Sequence, residues 1–417
     1  MSAVLLASAL ASADPIFESP PDEPPEASLA PGEVAGADFH VQDPVHSDGL
    51  MHRYVIESRF GPFEAYGIDA LAVRLHEVAA LTTLSKTSET SVVVDSAVRG
   101  VETDASSMLR AATHPVGTVL GVPNGIKHLL SGASAEAQEY SASARKAVGE
   151  SAKGSPATLA GHAGSAATSA AKGYADRYLG LSAAERRWYQ KLSVDPYTNN
   201  EVLRRAVKRL AKIDAAASFG MRFAPIGIPF AGEVTRALDT IYKEDPAVLR
   251  KRQREALASF GLAPAEVERF QNTQLLNPTR QALLADAVKA LEGVEGRAEL
   301  LRHAMEVTSE VETEVFLRSA GLLVRMHAQR HVARILAGPR VPSAQLADGT
   351  VVVFGAFDAV RWTEEVAGYE RELRLQLPAD ARCELVVSGS ISPRASAELA
   401  QLGWMVHSES VTAAAAS

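Results

Sequence analysis

Residues 201–213, EVLRRAVKRLAKI, decide how this chain is read. Val202, Leu203, Ala206, Val207, Leu210 and Ile213 recur at helical spacing, while Arg204, Arg205, Lys208, Arg209 and Lys212 take the opposite face. A stripe of that width buries one side of a helix and solvates the other. Thr198 or Asn199-Asn200 just before it can cap the first turn.

The same grammar extends both ways. Upstream, Leu181-Ser182-Ala183-Ala184-Glu185 is a capping box, in which the Ser182 hydroxyl accepts from the Glu185 amide and the Glu185 carboxylate reaches back. That helix must stop by Asp195-Pro196. Downstream of Pro225-Ile226-Gly227-Ile228-Pro229, helices are expected near 231–242, 246–260, 264–271, 278–291, 297–319 and 320–337. They are separated by Asp245-Pro246, Gly261, Asn277-Pro278, Gly293 and Gly296 and closed by Gly338-Pro339. Short connections favour antiparallel neighbours, so 181–340 reads as a bundle or irregular helical domain.

Beyond 340 the period changes. Thr350–Phe354 and Glu384–Ser388 are compact β-branched runs, Gly403–His407 is a third, and helical stretches at 363–375 and 392–402 lie between them. Residues 341–410 therefore read as a small β-α-β-α-β unit, and 411–417 as a tail.

Toward the N-terminus, Arg53–Ser58 and Phe63–Tyr66 flank Gly61-Pro62 and predict a β-hairpin. Leu71, Leu75, Val78, Leu81 and Leu84 then follow helical spacing, with Asp69 as the expected N-cap. From 126 to 178 Ala, Ser and Gly dominate, which predicts a loosely packed helical arm and makes 51–180 one hairpin-plus-arm region. Residues 14–50 hold seven prolines and nine acids, a composition expected to give a disordered linker. Together these readings predict a mainly α protein: an irregular helical domain or bundle with an N-terminal β-hairpin and a small C-terminal β-α-β-α-β unit.

At 1–13, the apolar run Ala3–Leu10 precedes Ala11-Ser12-Ala13, a small-x-small pattern that suits signal-peptidase cleavage, although no Lys or Arg stands before it. The expectation is a periplasmic or secreted protein, with the cytoplasm as the alternative. No apolar run reaches the ~20 residues that a membrane-spanning helix needs.

The net charge of -8 is concentrated in the first 50 residues, which carry no Lys or Arg; the rest sits at +1. A near-neutral folded part has no long-range field for polyanions, which argues against nucleic acid. Cys383 stands alone, so an intramolecular disulfide and a cysteine-rich zinc site are excluded.

Four groupings invite a chemical reading. Residues 181–260 hold fifteen Lys/Arg against nine acids, a candidate phosphate patch or simply the solvated face of amphipathic helices. His327 and His331 stand four apart, as in zinc sites, but Ala328 replaces the general-base Glu and no third ligand is evident. Glu306, Glu310 and Glu314 form an acidic helical stripe. Finally, Asp358, Trp362, Ser388, Gly389 and Ser390 follow the ends of the first two C-terminal strands, where α/β sheets place ligands, yet without a nucleophile elbow or phosphate loop.

No cofactor motif is present. The leading reading is a non-enzymatic exported interaction or structural protein that binds a protein partner or envelope surface. Two others stand beside it: an enzyme with a crevice near Asp358 and Ser390, and a peripheral lipid-surface binder using residues 115–178.

Overall fold

A computed structural model describes residues 17–20, 22–86, 91, 93–99, 126–130, 178–213 and 231–409. The leader-like run at 1–13 lies outside them, as do the 411–417 tail and nearly all of the 115–178 stretch. Among the described residues 51% are helix and 17% strand, in sheets of six, five and two strands. That corrects the mainly α expectation: the fold is mixed, with two substantial sheets bracketing the helices.

The N-terminal hairpin is part of a larger antiparallel sheet. Its strands are β1 (Asp22–Glu23), β2 (Ala35–Gly36), β3 (Phe39–Val41), β4 (Val45–Ser47), β5 (His52–Ser58) and β6 (Phe63–Tyr66). β5 is the spine, paired with β6 on one side and with both β4 and β3 on the other. Four of the six strands come from the segment expected to be a disordered linker. Its acids find partners: Asp48 Oδ1 accepts the Leu50 and Met51 amides at 2.8 and 2.6 Å, and Asp22 meets His46 at 2.7 Å. Arg361 binds Glu23 at 2.8 Å, while Glu18 accepts the Trp362 amide at 2.5 Å and the Ser392 hydroxyl at 2.6 Å. Leu29, Val41 and Val45 bury against Tyr54 and Ile56, so a few well-placed aliphatics suffice once the acids are satisfied.

The helices begin with the single turn α1 (Pro31–Val34) and the long α2 (Ile68–Leu84). The α2 N-cap is Gly67, at φ 93, rather than Asp69, which falls in the first turn. A positive φ favours glycine, and a side chain here would also crowd the Met51 methyl at 2.8 Å. α2 has two buried faces: Leu71 and Leu75 pack on the sheet, and Val78, Leu81 and Leu84 pack on the helices that follow.

After α3 (Lys127–Leu130) those helices are α4 (Ala183–Leu192), α5 (Glu201–Ile213), α6 (Ala231–Lys243), α7 (Pro246–Ser259), α8 (Pro264–Asn272), α9 (Pro278–Ala290), α10 (Glu299–Ala304) and α11 (Glu310–Gln329). Ser182 caps α4 through its hydroxyl at 3.2 Å from the Glu185 amide, and Asn277 caps α9 at 2.9 Å from the Arg280 amide. The helix expected to run to 337 ends at Gln329, and β7 (Val332–Ile335) follows. Val332 and Ile335 are buried and Arg334 is exposed; a bulge between Val332 and Arg334 breaks the strand alternation and leaves an i, i+3 spacing that also suits the end of a helix.

The second sheet has the order β13-β11-β9-β8-β7. β9 (Val351–Gly355), β11 (Cys383–Val387) and β13 (Trp404–Ser408) are parallel, joined through α12 (Glu364–Arg374) and α13 (Pro393–Gln401). β8 (Ser343–Leu346) and β7 extend it antiparallel, which makes the sheet mixed and larger than the three-stranded unit expected. Beside it, β10 (Ala359–Val360) and β12 (Ser390–Ile391) form a two-stranded parallel sheet. One continuous core runs from Leu257 and Phe270 through Phe316 and Leu323 to Val353, Val386 and Trp404. The α/β unit thus shares its core with α7–α11.

Candidate functional site

The residues after the C-terminal strands do come together, but as a joint. Asp358 Oδ2 accepts the His52 amide at 2.9 Å, and Oδ1 accepts the Ile68 amide at 3.1 Å. Ser388 Oγ donates to Phe357 O at 2.9 Å, and the Ser390 amide donates to Asp358 O at 3.1 Å. Trp362 is buried, its amide held by Glu18. A Cβ on Gly389 would lie 1.9 Å from Asp358 O, so glycine is required where β12 passes the 357–358 backbone. These groups fasten the two sheets to each other, and neither Asp358 nor Ser390 lines the large cleft described below.

His327 and His331 face each other with ring centroids 5.3 Å apart. His327 Nδ1 accepts the Val332 amide at 3.2 Å, which uses that nitrogen as the chain turns from α11 into β7. Burial, with the neighbouring His331, holds the His327 imidazole below its ordinary range. Among the described residues no group of three or more His, Cys, Asp or Glu side chains is placed to hold a metal ion. Burial pushes the Cys383 thiol up, against a nucleophilic role.

A large concavity lies elsewhere. A cleft of about 2000 Å³ opens between the β6–α2 corner, α4, α5, the 193–199 loop, α9 and α11. α5 contributes Arg204, Arg205 and Lys208, three members of the basic face read from the sequence. α11 contributes Glu310 and Glu314, two members of the acidic stripe; the third, Glu306, turns instead to Arg340 at 3.4 Å.

The ionisable groups of the cleft are largely paired within the chain. Arg280 Nη2 contacts Glu310 and Glu314, each at 2.5 Å, and Nη1 donates to Leu275 O at 2.7 Å. Desolvation pushes the Glu314 carboxyl up, but Arg280 and Arg318 outweigh it and hold that carboxyl below its ordinary value. Arg318 pairs with Asp69 across the α2–α11 junction. Arg74 binds Glu77 at 2.5 Å, and Glu77 also accepts from Thr198 and, at 3.1 Å, from Asn200. Glu201 serves Arg205 at 2.9 Å and Arg204 at 3.2 Å.

Two carboxyls in the lining are unusual. Burial pushes Asp195 up to about 6 although Oδ1 accepts the Tyr197 amide at 3.0 Å and the Thr279 hydroxyl at 2.7 Å. Burial likewise pushes Asp69 up to about 6 against the pull of Arg318. Beside Asp195, the Tyr197 ring meets Tyr178 edge-on at 5.7 Å, and its hydroxyl is buried with no hydrogen-bond partner. His76 Nε2 donates to Leu192 O and Ser193 O, at 3.2 and 3.1 Å, which leaves Nδ1 as a buried acceptor with no partner. His76 Nδ1 and the Tyr197 hydroxyl are thus two buried polar atoms of this lining without a hydrogen-bond partner, among several such atoms in the described residues.

Sequence reasoning found both charged faces of this cleft and missed that they face one space. Arg280, Asp195 and Tyr197 carried no signal, because each sits in a segment read only for its caps and breaks. Comparison of the chain with protein-family models, curated proteins and solved structures finds no match. No helix among the described residues is long and apolar enough to cross a membrane.

Proposed function

We propose that this chain is a binding protein whose central cleft receives an extended polypeptide segment of a partner. The cleft's size carries this reading. Pockets for single small molecules span ~300–1,000 Å³, and this one holds about 2000 Å³. Its lining supports it further: tyrosine and arginine recur, the residue types that dominate protein interfaces, and the carboxylates are tied to cations rather than poised beside a nucleophile.

The test is selection from a displayed random-peptide library on the immobilised full chain, with two variants as controls. Val73 lines the cleft and is 39% exposed, so Val73→Trp narrows the space without disturbing the core. Tyr197→Phe removes only the orphan hydroxyl. Selected peptides should bind Val73→Trp about tenfold more weakly and Tyr197→Phe severalfold more weakly. No enrichment, or equal binding to Val73→Trp, overturns the reading.

Export remains part of the same proposal and rests on Ala11-Ser12-Ala13. A cut after Ala13 would retain every strand of the N-terminal sheet. Sequencing the N-terminus of the protein from its native host tests it, and an intact Met1 in the cytosol refutes it.

A further inference from the structure

We propose that the segment received by the cleft is basic and is held as an added strand along the open edge of β6, an inference that rests on the reading of the cleft as a polypeptide groove. Glu64, Ala65 and Tyr66 all line the cleft. Successive strand residues turn their side chains to opposite faces, so three in a row border one space only where it runs along the strand's edge. β6 pairs with β5, and among the described residues no strand pairs with its other side.

The ladder fixes which backbone groups face outward. The Gly67 amide donates to His52 O at 2.8 Å, which continues the register that sets Tyr66 opposite Arg53. Antiparallel pairs alternate between bonded and non-bonded, so Phe63 and Ala65 bond β5 while Glu64 and Tyr66 turn N–H and C=O to the open side. β5 shows the same phase: Val55, opposite Glu64, gives its carbonyl to the Gln42 amide on the far side at 2.8 Å. A donor and an acceptor repeated at two-residue spacing are complementary to an extended backbone.

A helix supplies the second wall of this groove. Asp69, Val73 and Glu77 of α2 follow one another at single turns and line the same cleft, with Val73 exposed between the two acids. An added strand would lie between the β6 edge and α2, its alternate side chains against Val73 and the others on the Glu64 face.

Charge selects the occupant. Along this side of the cleft the ion pairs bury their cations and expose their acids: Glu310 and Glu314 are 47% and 37% exposed, against 14% for the Arg280 that holds them. Glu64, on β6 itself, is half exposed beside the free edge. Arg318 and Arg74 are buried against Asp69 and Glu77. The exposed cations of the lining, Arg204 and Lys208, belong to α5, a different wall. A segment on β6 therefore meets carboxylates, which favour Lys and Arg opposite them and repel acids.

Peptides selected from a displayed random library on the full chain test this. They should carry Lys and Arg in excess of the unselected library and bind Glu64→Gln severalfold more weakly. N-methylation along a selected synthetic peptide should weaken binding about tenfold or more at alternate residues and little at those between. In the complex, hydrogen exchange should slow at the Glu64 and Tyr66 amides and change little at Phe63 and Ala65, which β5 already holds. Failure to select any peptide overturns the cleft reading and this inference with it. Peptides that lose affinity for Val73→Trp, yet lack the basic excess, the alternating N-methyl pattern or the slowed exchange, overturn this inference alone.

Discussion

The Asp358 carboxylate binds the His52 amide at 2.9 Å across 306 residues of sequence, and its second oxygen takes the Ile68 amide at 3.1 Å. One side chain thereby fixes the spine of the first sheet, the start of α2 and the end of β9. Removing it leaves two amides at a buried junction without an acceptor. Asp358→Ala should lose about 2–4 kcal/mol in urea unfolding, and Asp358→Asn, which keeps one acceptor oxygen, should lose less. Native-like stability in Asp358→Ala would show that the two sheets are held by packing alone.

The neighbouring glycine gives a sharper contrast. A methyl group at Gly389 would meet Asp358 O at 1.9 Å and Phe357 O at 2.6 Å, backbone atoms that cannot swing away. Gly389→Ala should therefore cost about 2 kcal/mol or more, by parting β12 from the 357–358 backbone. Gly349, by contrast, sits at φ 87 and has open space around it. Gly349→Ala should pay only backbone strain, about 1 kcal/mol. Thermal melts of the two variants separate steric exclusion from conformational preference.

Stability should depend on pH through Asp195. Its carboxyl titrates at about 6 in the folded chain against an ordinary value of 3.8. Between those values the folded state holds more protons than the unfolded state, so this residue's contribution falls as pH rises from about 4 to about 6 and is level above. Asp195→Asn keeps an acceptor for Thr279 and the Tyr197 amide while removing the buried charge. It should stabilise the chain by on the order of 1–3 kcal/mol at neutral pH and by little at pH 4. Urea midpoints at the two pH values provide the check, and equal effects at both would mean that Asp195 titrates normally.

How much of this was legible in the sequence follows the range of the interactions. The Ser182 and Asn277 caps involve atoms three residues apart, and the Val202–Ile213 stripe needs only a period; both can be read from residue order. The 14–50 segment could not be read that way. Its acids suggest disorder until Glu18 meets Ser392 and Glu23 meets Arg361, contacts that composition does not reveal. The same holds for Asp358: its position after a strand suggested a ligand site, and only the distant amides of His52 and Ile68 show it to be a fastener. The cleft is the extreme case, since the basic face of α5 and the acidic face of α11 are each plain in sequence and their opposition is purely tertiary.

The two kinds of arginine in that cleft should behave differently. Arg280 is 14% exposed and its guanidinium holds Glu310, Glu314 and the Leu275 carbonyl. Arg280→Ala strands two carboxylates beside each other and a carbonyl without its donor, a loss of about 2–3 kcal/mol at neutral pH. Arg204 lies on the solvated side of α5, and its partner Glu201 keeps Arg205, so Arg204→Ala should stay within about 0.5 kcal/mol. The Arg280→Ala deficit should narrow in acid, because Glu314 is held below its ordinary value and its favourable pairing fades as pH falls through that lowered range. Denaturant titrations of both variants at neutral and acid pH decide it. A gap between them below about 1 kcal/mol at neutral pH would mean that the two acids of α11 are held by solvent rather than by Arg280.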